Sequence, residues 1–485
     1  MGKMTKDTMH PATRAVVKAI GIFGGVKFLQ VLFSLVRNKL IAVFIGPAGV
    51  GLVILYNSVS DLISSATRLN IDQSAMRDIA QSSRHDDDAT ATVVTVWTVF
   101  LGVLGMLLMC AFSPLLSLWS FGDTDRWWTY CVLSLVPLAY AVNVGQQAIM
   151  QGRGEFGRMA HVGIITAVGG IIISVPIIIV FGAASIVWVI AAYGAMSLVA
   201  VLVCRTHFRR VRMSVAEIWR RGQNFVRLGI WLTIGLSVMP LVNYLFVIFL
   251  NDTASTSQLG IYQAGFTIVN TYLGLLFTGV WIEYYPHLSA VAHSRRRVNT
   301  VVSHRVFTLM WMCLPVVPLF MAVASVLVMI VYSGSFLDMI PYIVPAVGAL
   351  PLRVTAWCMS MAIMARGDGA TYAVVEAVSG LAFIVTAVIG FNTGSFLGLG
   401  IAYFVWHLIY LATVWGVIRF RYGYRLRPRV TAVVAGITAV CILSAVLRLT
   451  VGWTIPLLIA VAALPYAYKH LFSIPAKDAA KGAGR

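Results

Sequence analysis

The chain has 485 residues, of which 59% are hydrophobic and only 11% are charged, and its net charge is +19. Together with a mean hydropathy of +0.87, this composition excludes a soluble globular protein and indicates a membrane protein. The cations form short clusters between long apolar runs rather than covering one soluble face, so no nucleic-acid partner is expected.

Fourteen apolar segments are long enough to cross a bilayer, which requires about 20 apolar residues in a helix. We number them spans 1 to 14 in chain order: 20–45, 49–70, 91–112, 128–150, 159–180, 184–204, 226–250, 260–284, 304–332, 340–364, 371–391, 396–418, 430–448 and 453–472. The predicted fold class is therefore all-α and polytopic. The basic segment from Met1 to Lys18 runs into span 1 without a small-residue cleavage site, which predicts a retained span rather than a signal peptide.

Lys and Arg residues cluster in every second loop between the spans, and Arg126 is the only cation in the alternate loops. Cytoplasmic loops retain Lys and Arg whereas translocated loops lack them, so both termini are expected in the cytoplasm. The outer loops are short. The chain is therefore expected to have almost no extramembrane body and to act within the bilayer.

An internal repeat relates two parts of the sequence at an offset of 214 residues. Residues 148–150 and 362–364, both Ala-Ile-Met, each begin a stretch with a Gly/Arg turn and two spans, which ends at Arg205 or Arg419. The repeat predicts two six-helix lobes in the same orientation. The predicted boundaries are 1–204 for the N-lobe, 205–225 for a basic cytoplasmic linker, 226–419 for the C-lobe and 430–472 for spans 13 and 14.

Three spans carry polar side chains along one helical face. These faces consist of Lys27, Gln30, Ser34, Arg37 and Asn38 in span 1, of Asn57, Asp61, Ser64, Ser65, Arg68 and Asp72 in span 2, and of Gln263, Thr267, Asn270, Thr271 and Thr278 in span 8. Polar groups in hydrocarbon must face protein or water, so the three faces are predicted to line one hydrated cavity. The alternative is that their Ser, Thr and Asn side chains join packed helices.

Five cations lie within the spans and away from the cytoplasmic clusters at the span ends: Lys27, Arg37, Lys39, Arg353 and Arg448. An intramembrane charge costs about 2.5–3.5 kcal/mol on insertion scales, so such residues indicate function. Arg353 is the strongest candidate because it lies near the middle of span 10, where neither interface is easily reached. Lys39 and Arg448 lie near the outer ends of their spans, where extension to the interface is the alternative, and for Arg448 the preferred one.

Two acids, Asp61 and Glu376, lie inside spans 2 and 11. Each carboxyl could carry a proton, bind a cation or neutralise a cavity cation, and these roles stay open. Arg68 and Asp72 are four residues apart in the sequence, so they are expected either to form an ion pair or to join a ligand site.

No motif indicates catalysis or a cofactor. The sequence contains no GxxxxGK[ST], HExxH or GxSxG, and its six cysteines form no CxxC pair. We therefore expect no enzyme activity, no catalytic residues, no cofactor, no metal site and no disulfide.

Four short motifs resemble Wzx-type flippases for undecaprenyl-diphosphate-linked oligosaccharides. The motifs are residues 39–52 (KLIAVFIGPAGVGL), 259–263 (LGIYQ), 285–289 (YPHLS) and 373–376 (AVVE). Arg353 also falls where such proteins often have Lys or Arg, and the resemblance covers residues 15–418. These flippases share a superfamily, the multidrug/oligosaccharidyl-lipid/polysaccharide (MOP) exporters, with the multidrug and toxin extrusion (MATE) transporters.

The resemblance implies translocation of the lipid-linked repeat unit from the cytoplasmic to the periplasmic leaflet of the bacterial inner membrane by alternating access, for O-antigen and lipopolysaccharide or another surface polysaccharide. The diphosphate would then bind Lys27, Arg37, Lys39, Arg68 and Arg353. The glycan would contact Gln30, Asn57, Ser64, Gln263, Thr267 and Asn270, and ion coupling or charge pairing would fall to Asp61, Asp72 and Glu376. Expected partners are the lipid-linked substrate, membrane lipids, a coupling proton or sodium ion, and polysaccharide polymerase and chain-length proteins.

Three alternative functions are weighed against this hypothesis. A lipid II flippase is the main one, because such flippases of the superfamily also have fourteen spans. A drug exporter would place acids in spans 1 and 7, whereas span 1 carries cations and span 7 has no acid. A membrane polymerase would need catalytic residues at the outer face, commonly in a large loop, and the outer loops here are short.

Overall fold

A computed structural model describes most of the chain. The described residues are 31–68, 79, 84–206, 211, 213–274, 284, 288–289, 291–292 and 294–472. Helices and the turns between them make up these residues, and no strand occurs among them. The all-α prediction is therefore confirmed.

The helices follow the predicted spans closely. Those of spans 1 to 7 cover residues 31–44, Pro47–Arg68, Arg84–Ala111, Trp127–Leu133 with Leu135–Gly152, Phe156–Phe181, Ile186–Cys204 and Val215–Thr253. Those of spans 8 to 14 cover Thr256–Thr267 with the π-helix Ile268–Tyr272, Arg295–Val331, Ile340–Gly348 with Leu350–Ala365, Gly369–Arg421 for spans 11 and 12 together, Pro428–Thr450 and Thr454–Phe472.

Spans 11 and 12 form one helix of 53 residues, Gly369–Arg421, which is broken in its middle. At 1.5 Å per residue its length is about 80 Å, more than twice the bilayer core of about 30 Å. The backbone leaves the helical region at Gly394 and at Ser395, whose φ is +51°. The break therefore separates two spans that are joined almost without a loop.

The apolar helices establish a multi-pass membrane protein. Within the described ranges, eight helices are long and apolar enough to cross a membrane, or nine if the bent pair Gly334–Gly348 and Leu350–Ala365 counts as one span. The angle in this pair is 49°. The total of fourteen spans stays a prediction.

Two segments that the sequence predicts as loop or linker are helical instead. In the loop between spans 3 and 4, Ser113–Phe121 forms a short helix that begins with Pro near its first position and ends at Gly122, whose φ is +78°. In the linker, helix Val215–Thr253 begins eleven residues before span 7 was predicted to start. The Ser214 hydroxyl accepts a hydrogen bond from the Glu217 amide at 3.2 Å, which caps this helix.

The chain divides into two compact units, Met1–Gly260 and Ile261–Arg485. In the first unit, span 5 packs on span 6, span 3 on span 4, and span 7 on span 2. Tyr56, Tyr130 and Tyr244 form part of the buried core of this unit. The predicted division into two six-helix lobes joined through 205–225 stays a prediction.

In the second unit, the helix of span 9 lies at the centre of the packing. Spans 13 and 14 both pack on it, and span 10 packs on the broken helix of spans 11 and 12. The largest fully buried side chains of this unit include Tyr262, Tyr284, Tyr332 and Tyr342. Spans 13 and 14 are therefore integral to the second unit.

The turn after span 4 and the turn after span 10 have the same shape. Gly154 follows the first helix with φ +72°, and Gly367 follows the second with φ +76°. Both positions require glycine because other residues rarely adopt this region. These glycines are 213 residues apart, so the internal repeat has a one-residue gap relative to the Ala-Ile-Met match.

An acid follows each of these glycines and joins the two ends of a helical hairpin. Glu155 accepts a hydrogen bond at 2.8 Å from Thr206, which lies just after span 6. Asp368 accepts one at 2.7 Å from Tyr422, which lies just after span 12. The two units therefore use the same device at corresponding places, which supports the internal repeat.

Candidate functional site

The structure describes most of the predicted site residues. Lys27, Gln30 and Asp72 lie outside the described residues, and so does the side chain of Arg68. The predicted Arg68–Asp72 pair therefore stays a prediction, as do the roles of Lys27 and Gln30.

A cavity of about 140 Å³ lies among the helices of spans 1, 2, 4 and 6 in the first unit. Arg37 of span 1 and Asn57 of span 2, two of the predicted site residues, both line it. Tyr140, Tyr193 and Ser197 add polar side chains from spans 4 and 6, and among the described lining residues Arg37 is the one that carries a charge. One guanidinium among neutral hydrogen-bonding groups is an arrangement that can bind an anionic polar ligand.

The Arg37 guanidinium makes few contacts of its own. Its central carbon lies 5.0 Å from the centroid of the Tyr193 ring, which is a cation–π contact. Its Nε atom is buried and has no hydrogen-bond partner among the described residues. The ion pairs in this part of the chain involve other arginines. Among the described residues, the charge of Arg37 is therefore compensated by the Tyr193 ring and by no carboxylate.

A hydrogen-bond network lies beside the cavity in span 4. The Asn143 Nδ2 atom donates to the Ser197 hydroxyl at 2.5 Å, and the Gln147 Nε2 atom donates to the Asn143 Oδ1 atom. Ser197 lines the cavity, so this network fixes one of its walls. Sequence analysis missed these residues because single polar side chains in an apolar span are also typical of helix packing.

The other described residues of the polar face of span 2, Asp61, Ser64 and Ser65, are not part of the cavity lining. Asp61 is exposed, and no ion pair or hydrogen bond to it occurs within the described ranges. Ser64 is buried. Lys39 is half-buried in span 1. Their predicted roles stay open.

In the second unit, Val269, Asn270 and Tyr403 form a hydrogen-bond network with Arg353. The Arg353 Nη1 atom donates to the Val269 carbonyl at 3.2 Å and lies 3.4 Å from the Tyr403 hydroxyl oxygen. The Tyr403 hydroxyl in turn donates to the Asn270 Oδ1 atom at 2.9 Å. Spans 8, 10 and 12 are thereby connected, and two predicted site residues, Arg353 and Asn270, belong to one network.

The other predicted residues of span 8 lie beside this network. Gln263 and Thr267 are half-buried. The Gln263 Oε1 atom is buried and has no hydrogen-bond partner in the part of the chain that the structure describes. Spans 1 and 2 belong to the first unit and most of span 8 to the second, and the prediction that all three polar faces line one cavity stays a prediction.

Glu376 is bonded to tyrosine rather than to a cation. Its Oε1 atom accepts a hydrogen bond from the Tyr410 hydroxyl at 3.0 Å. Glu376 belongs to span 11 and Tyr410 to span 12. Among the described residues, no Lys or Arg forms an ion pair with Glu376.

Arg448 forms hydrogen bonds to a neighbouring span. Its Nε atom donates to the Met321 carbonyl at 3.0 Å, and its Nη2 atom donates to the Ser325 hydroxyl at 2.8 Å. Both partners belong to span 9, so Arg448 joins span 13 to span 9. Extension of Arg448 to the interface, which the sequence favours, stays a prediction.

Metal ligands do not cluster in the described part of the chain. No group of three or more His, Cys, Asp or Glu residues lies close enough there to hold a metal ion. The six cysteines are free, and Cys313, Cys358 and Cys441 are buried.

The profile of a family described as polysaccharide biosynthesis protein matches residues 40–341, which is more than half of the chain. The chain belongs to this family. No curated protein sequence matches this polysaccharide biosynthesis protein.

Several solved structures share the fold of this family member. The lipid II flippase MurJ in an inward closed conformation has a TM-score of 0.66 at 12% identity, over 93% of this chain and 98% of that chain. A MATE family transporter of the MOP superfamily, inward-facing, has a TM-score of 0.64 at 15% identity, over 85% of this chain and 98% of that one. A MOP superfamily transporter from Pyrococcus furiosus has a TM-score of 0.58 at 17% identity, over 86% and 96% of the two chains.

These identities are too low to carry over a substrate, and the likeness shows the fold. The polysaccharide biosynthesis protein therefore has the fold of MOP-superfamily transporters. The similar structures are described as flippases or transporters, not as enzymes.

Proposed function

We propose that this protein is a Wzx-type flippase that moves undecaprenyl-diphosphate-linked oligosaccharide repeat units from the cytoplasmic to the periplasmic leaflet of a bacterial inner membrane. The product would supply assembly of O-antigen or another surface polysaccharide. The observation that carries the proposal is the Arg37 cavity, where a guanidinium inside a span has no carboxylate partner among the described residues. The family match and the transporter fold support it.

The charge of the cavity favours an anionic substrate. Keeping an arginine in a span costs about 2.5–3.5 kcal/mol on insertion scales, and a structural arginine recovers this by pairing. In the described part of the chain, Arg37 makes a cation–π contact with the Tyr193 ring and forms no ion pair. A diphosphate would supply the missing negative charge through charge-assisted hydrogen bonds.

The neutral polar groups of the same cavity fit the sugar part of the substrate. Asn57 and Ser197 offer an amide and a hydroxyl, and the aromatic faces of Tyr140 and Tyr193 provide apolar area for sugar rings. The polyprenyl tail would remain in lipid. We propose that Lys27, Lys39, Arg68 and Arg353 take part in holding the diphosphate during alternating access.

Three further features belong to the same proposal. Both termini would lie in the cytoplasm, as the distribution of Lys and Arg predicts. A proton or sodium ion would drive transport, with Asp61, Asp72 or Glu376 as the coupling group. Polysaccharide polymerase and chain-length proteins would receive the product.

The proposal is tested by transport in proteoliposomes that contain fluorescent lipid-linked oligosaccharide. The variants are Arg37→Gln and Arg37→Lys, with Arg429→Gln as the control, because Arg429 is an exposed cation at the start of the span 13 helix. Arg37→Gln should slow flipping about ten- to a hundredfold, since hydrogen bonds to a charged group contribute about 1.5–3 kcal/mol. Arg37→Lys should be intermediate, and Arg429→Gln should match the wild type.

A second transport variant tests the second unit. Arg353→Ala should abolish transport while membrane insertion, measured by fractionation and by folding in detergent, stays intact. Normal glycan export by Arg353→Ala, or equal rates for Arg37→Gln and Arg429→Gln, would contradict the assignment.

A lipid II flippase is the second candidate, because the MurJ structure shares the fold over 93% of this chain. Expression of this gene in cells depleted of either flippase shows which glycan reappears at the surface. A cation-coupled drug exporter is less consistent with a cavity whose one charged residue is Arg37. Restoration of lipid II transport alone would assign the second candidate.

A further inference from the structure

The π-helix of span 8 is held from outside by two side chains of other spans. In Ile268–Tyr272 the turn is wider than in an α-helix, and the Leu273 amide donates to the Ile268 carbonyl five residues earlier, at 3.2 Å. Wide turns of this kind are rare and are frequently found at functional sites. The contacts that stabilise this wide turn therefore bear on function as well as on folding.

Two successive residues of the π-helix receive these external bonds. Arg353 donates to the Val269 carbonyl, and Tyr403 donates to the Asn270 side chain. The Asn270 Nδ2 atom then donates to the Phe266 carbonyl at 3.1 Å, one turn earlier. The widened turn is thus tied to spans 10 and 12 through one arginine and one tyrosine.

Tyr403 has a fixed position. Its ring is buried, lies 5.4 Å from the Trp406 ring and 4.3 Å from the His407 ring, and meets the Tyr342 ring edge-on at 6.3 Å. The His407 Nδ1 atom lies 2.9 Å from the Tyr403 carbonyl oxygen. Packing on these rings therefore fixes the direction of the Tyr403 hydroxyl, which meets the half-buried side chain of Arg353.

The described contacts of Arg353 use only part of its hydrogen-bonding capacity. A guanidinium has five N–H donors, and the bonds of Arg353 at 3.2 and 3.4 Å both come from Nη1. Within the described residues no ion pair includes Arg353. The side chain is half-buried, so part of it is accessible.

We propose that Tyr403 is a positioning residue: it holds Arg353 against the π-helix of span 8 so that the free donors of the guanidinium face an anionic phosphate group of the substrate. The inference rests on the proposed function. It adds Tyr403 to the residues that support phosphate binding, although hydropathy does not distinguish Tyr403 from other tyrosines in spans. It also connects phosphate binding to the π-helix of span 8.

The experiment compares Tyr403→Phe with Tyr342→Phe in the full-length protein in nanodiscs. Tyr342 is the matched control because it belongs to the same aromatic cluster, and no hydrogen bond joins its hydroxyl to Arg353 or Asn270 in the described part of the chain. Amide hydrogen exchange over residues 266–273 is measured without ligand. Binding of inorganic pyrophosphate is measured by calorimetry.

Tyr403→Phe should weaken pyrophosphate binding about tenfold, the loss of one hydrogen bond to a charged group. It should also speed exchange in 266–273, whereas Tyr342→Phe should change neither quantity. Arg353→Lys should behave like Tyr403→Phe, because an ammonium cannot reproduce the geometry of the guanidinium fork.

Equal behaviour of Tyr403→Phe and Tyr342→Phe in either measurement would overturn the proposal, as would wild-type protein that binds no pyrophosphate. A failure of the proposed function can be distinguished from a failure of this inference. If pyrophosphate binding and exchange respond as expected but lipid-linked oligosaccharide is not flipped, the positioning role of Tyr403 stands and the flippase assignment does not.

Discussion

Gly390→Ala should separate spans 11 and 12 near the break in their common helix. A Cβ atom at residue 390 would lie 2.5 Å from the Gly398 carbonyl oxygen and 2.6 Å from the Ala402 Cβ atom. Ordinary van der Waals contact begins near 3.4 Å. The two helix segments would therefore have to move apart by about 1 Å, and a backbone carbonyl cannot yield as a flexible side chain does.

The magnitude follows from two opposing effects. Overpacking costs about 1–3 kcal/mol, and replacing a helical glycine by alanine returns up to about 1 kcal/mol. Gly390→Ala should thus destabilise the protein by about 1–2 kcal/mol. Gly416→Ala is the control because it lies in the same helix and its Cβ would meet no atom within 4 Å, so it should stabilise by up to about 1 kcal/mol.

Unfolding in mixed micelles by titration with sodium dodecyl sulfate measures both variants under one condition. The predicted shifts have opposite signs, so errors in the absolute free energy cancel in the comparison. If Gly390→Ala stabilises the protein as much as Gly416→Ala does, the close approach of spans 11 and 12 does not exist.

Two further substitutions test contacts outside the cavity. Burial raises the pKa of Asp368, but hydrogen bonds from Tyr422 and Thr371 and the charge of Arg421 outweigh it and lower that pKa to about 2. Because the unfolded value is about 3.9, the stabilisation is complete above that pH and is lost as pH falls toward 2; solvent screening limits it to about 1 kcal/mol. Asp368→Asn should lower stability by this amount at pH 7 and flatten the pH dependence of unfolding between pH 4 and 2, and an unchanged acid profile would refute this. Arg448→Gln should loosen span 13 from span 9 and destabilise the protein by about 1–3 kcal/mol, the range for hydrogen bonds to a charged group, and protection from hydrogen exchange in 428–450 equal to that of the wild type would contradict it.

The positions of the spans were predictable because hydrophobic length is a strong signal, but the N-terminal ends of several helices were not. Spans 3, 7 and 9 begin at Arg84, Val215 and Arg295, well before the apolar segments do. Arg and Glu are good helix formers, so the helix continues through charged residues that hydropathy assigns to loops. Hydropathy reports the membrane boundary and not the end of the helix.

The bend within span 10 was missed although the sequence contains a signal for it. Span 10 bends where helix Ile340–Gly348 ends at Ala349 and a second helix starts, with Pro351 in its first turn. Proline removes an amide donor and is tolerated in a first turn, so Pro351 could have marked a new helix start. The break at Gly394 and Ser395 lies between the predicted end of span 11 at 391 and the predicted start of span 12 at 396, so hydropathy located it correctly.

The site was partly predictable because charges inside spans are rare and conspicuous. Arg37 and Asn57 do line one cavity, and Arg353 and Asn270 do share one network. Tyr403, which connects the second pair, was missed. Tyrosine is common in spans, and only the three-dimensional arrangement shows which hydroxyl meets an arginine.

Arg37, Arg353 and Arg448 differ in how completely the protein satisfies their guanidinium groups. Arg448 donates two hydrogen bonds at 3.0 and 2.8 Å to span 9, Arg353 has two longer contacts at 3.2 and 3.4 Å, and Arg37 has an aromatic ring and a buried Nε atom with no partner among the described residues. A donor that the protein already satisfies gains less from a ligand, because the new bond to the ligand replaces an existing one. We therefore expect Arg37 and Arg353 to contribute more to substrate binding than Arg448. Depth in the membrane predicts what an intramembrane charge costs, whereas the unsatisfied donors of a guanidinium predict how much a substrate can stabilise it.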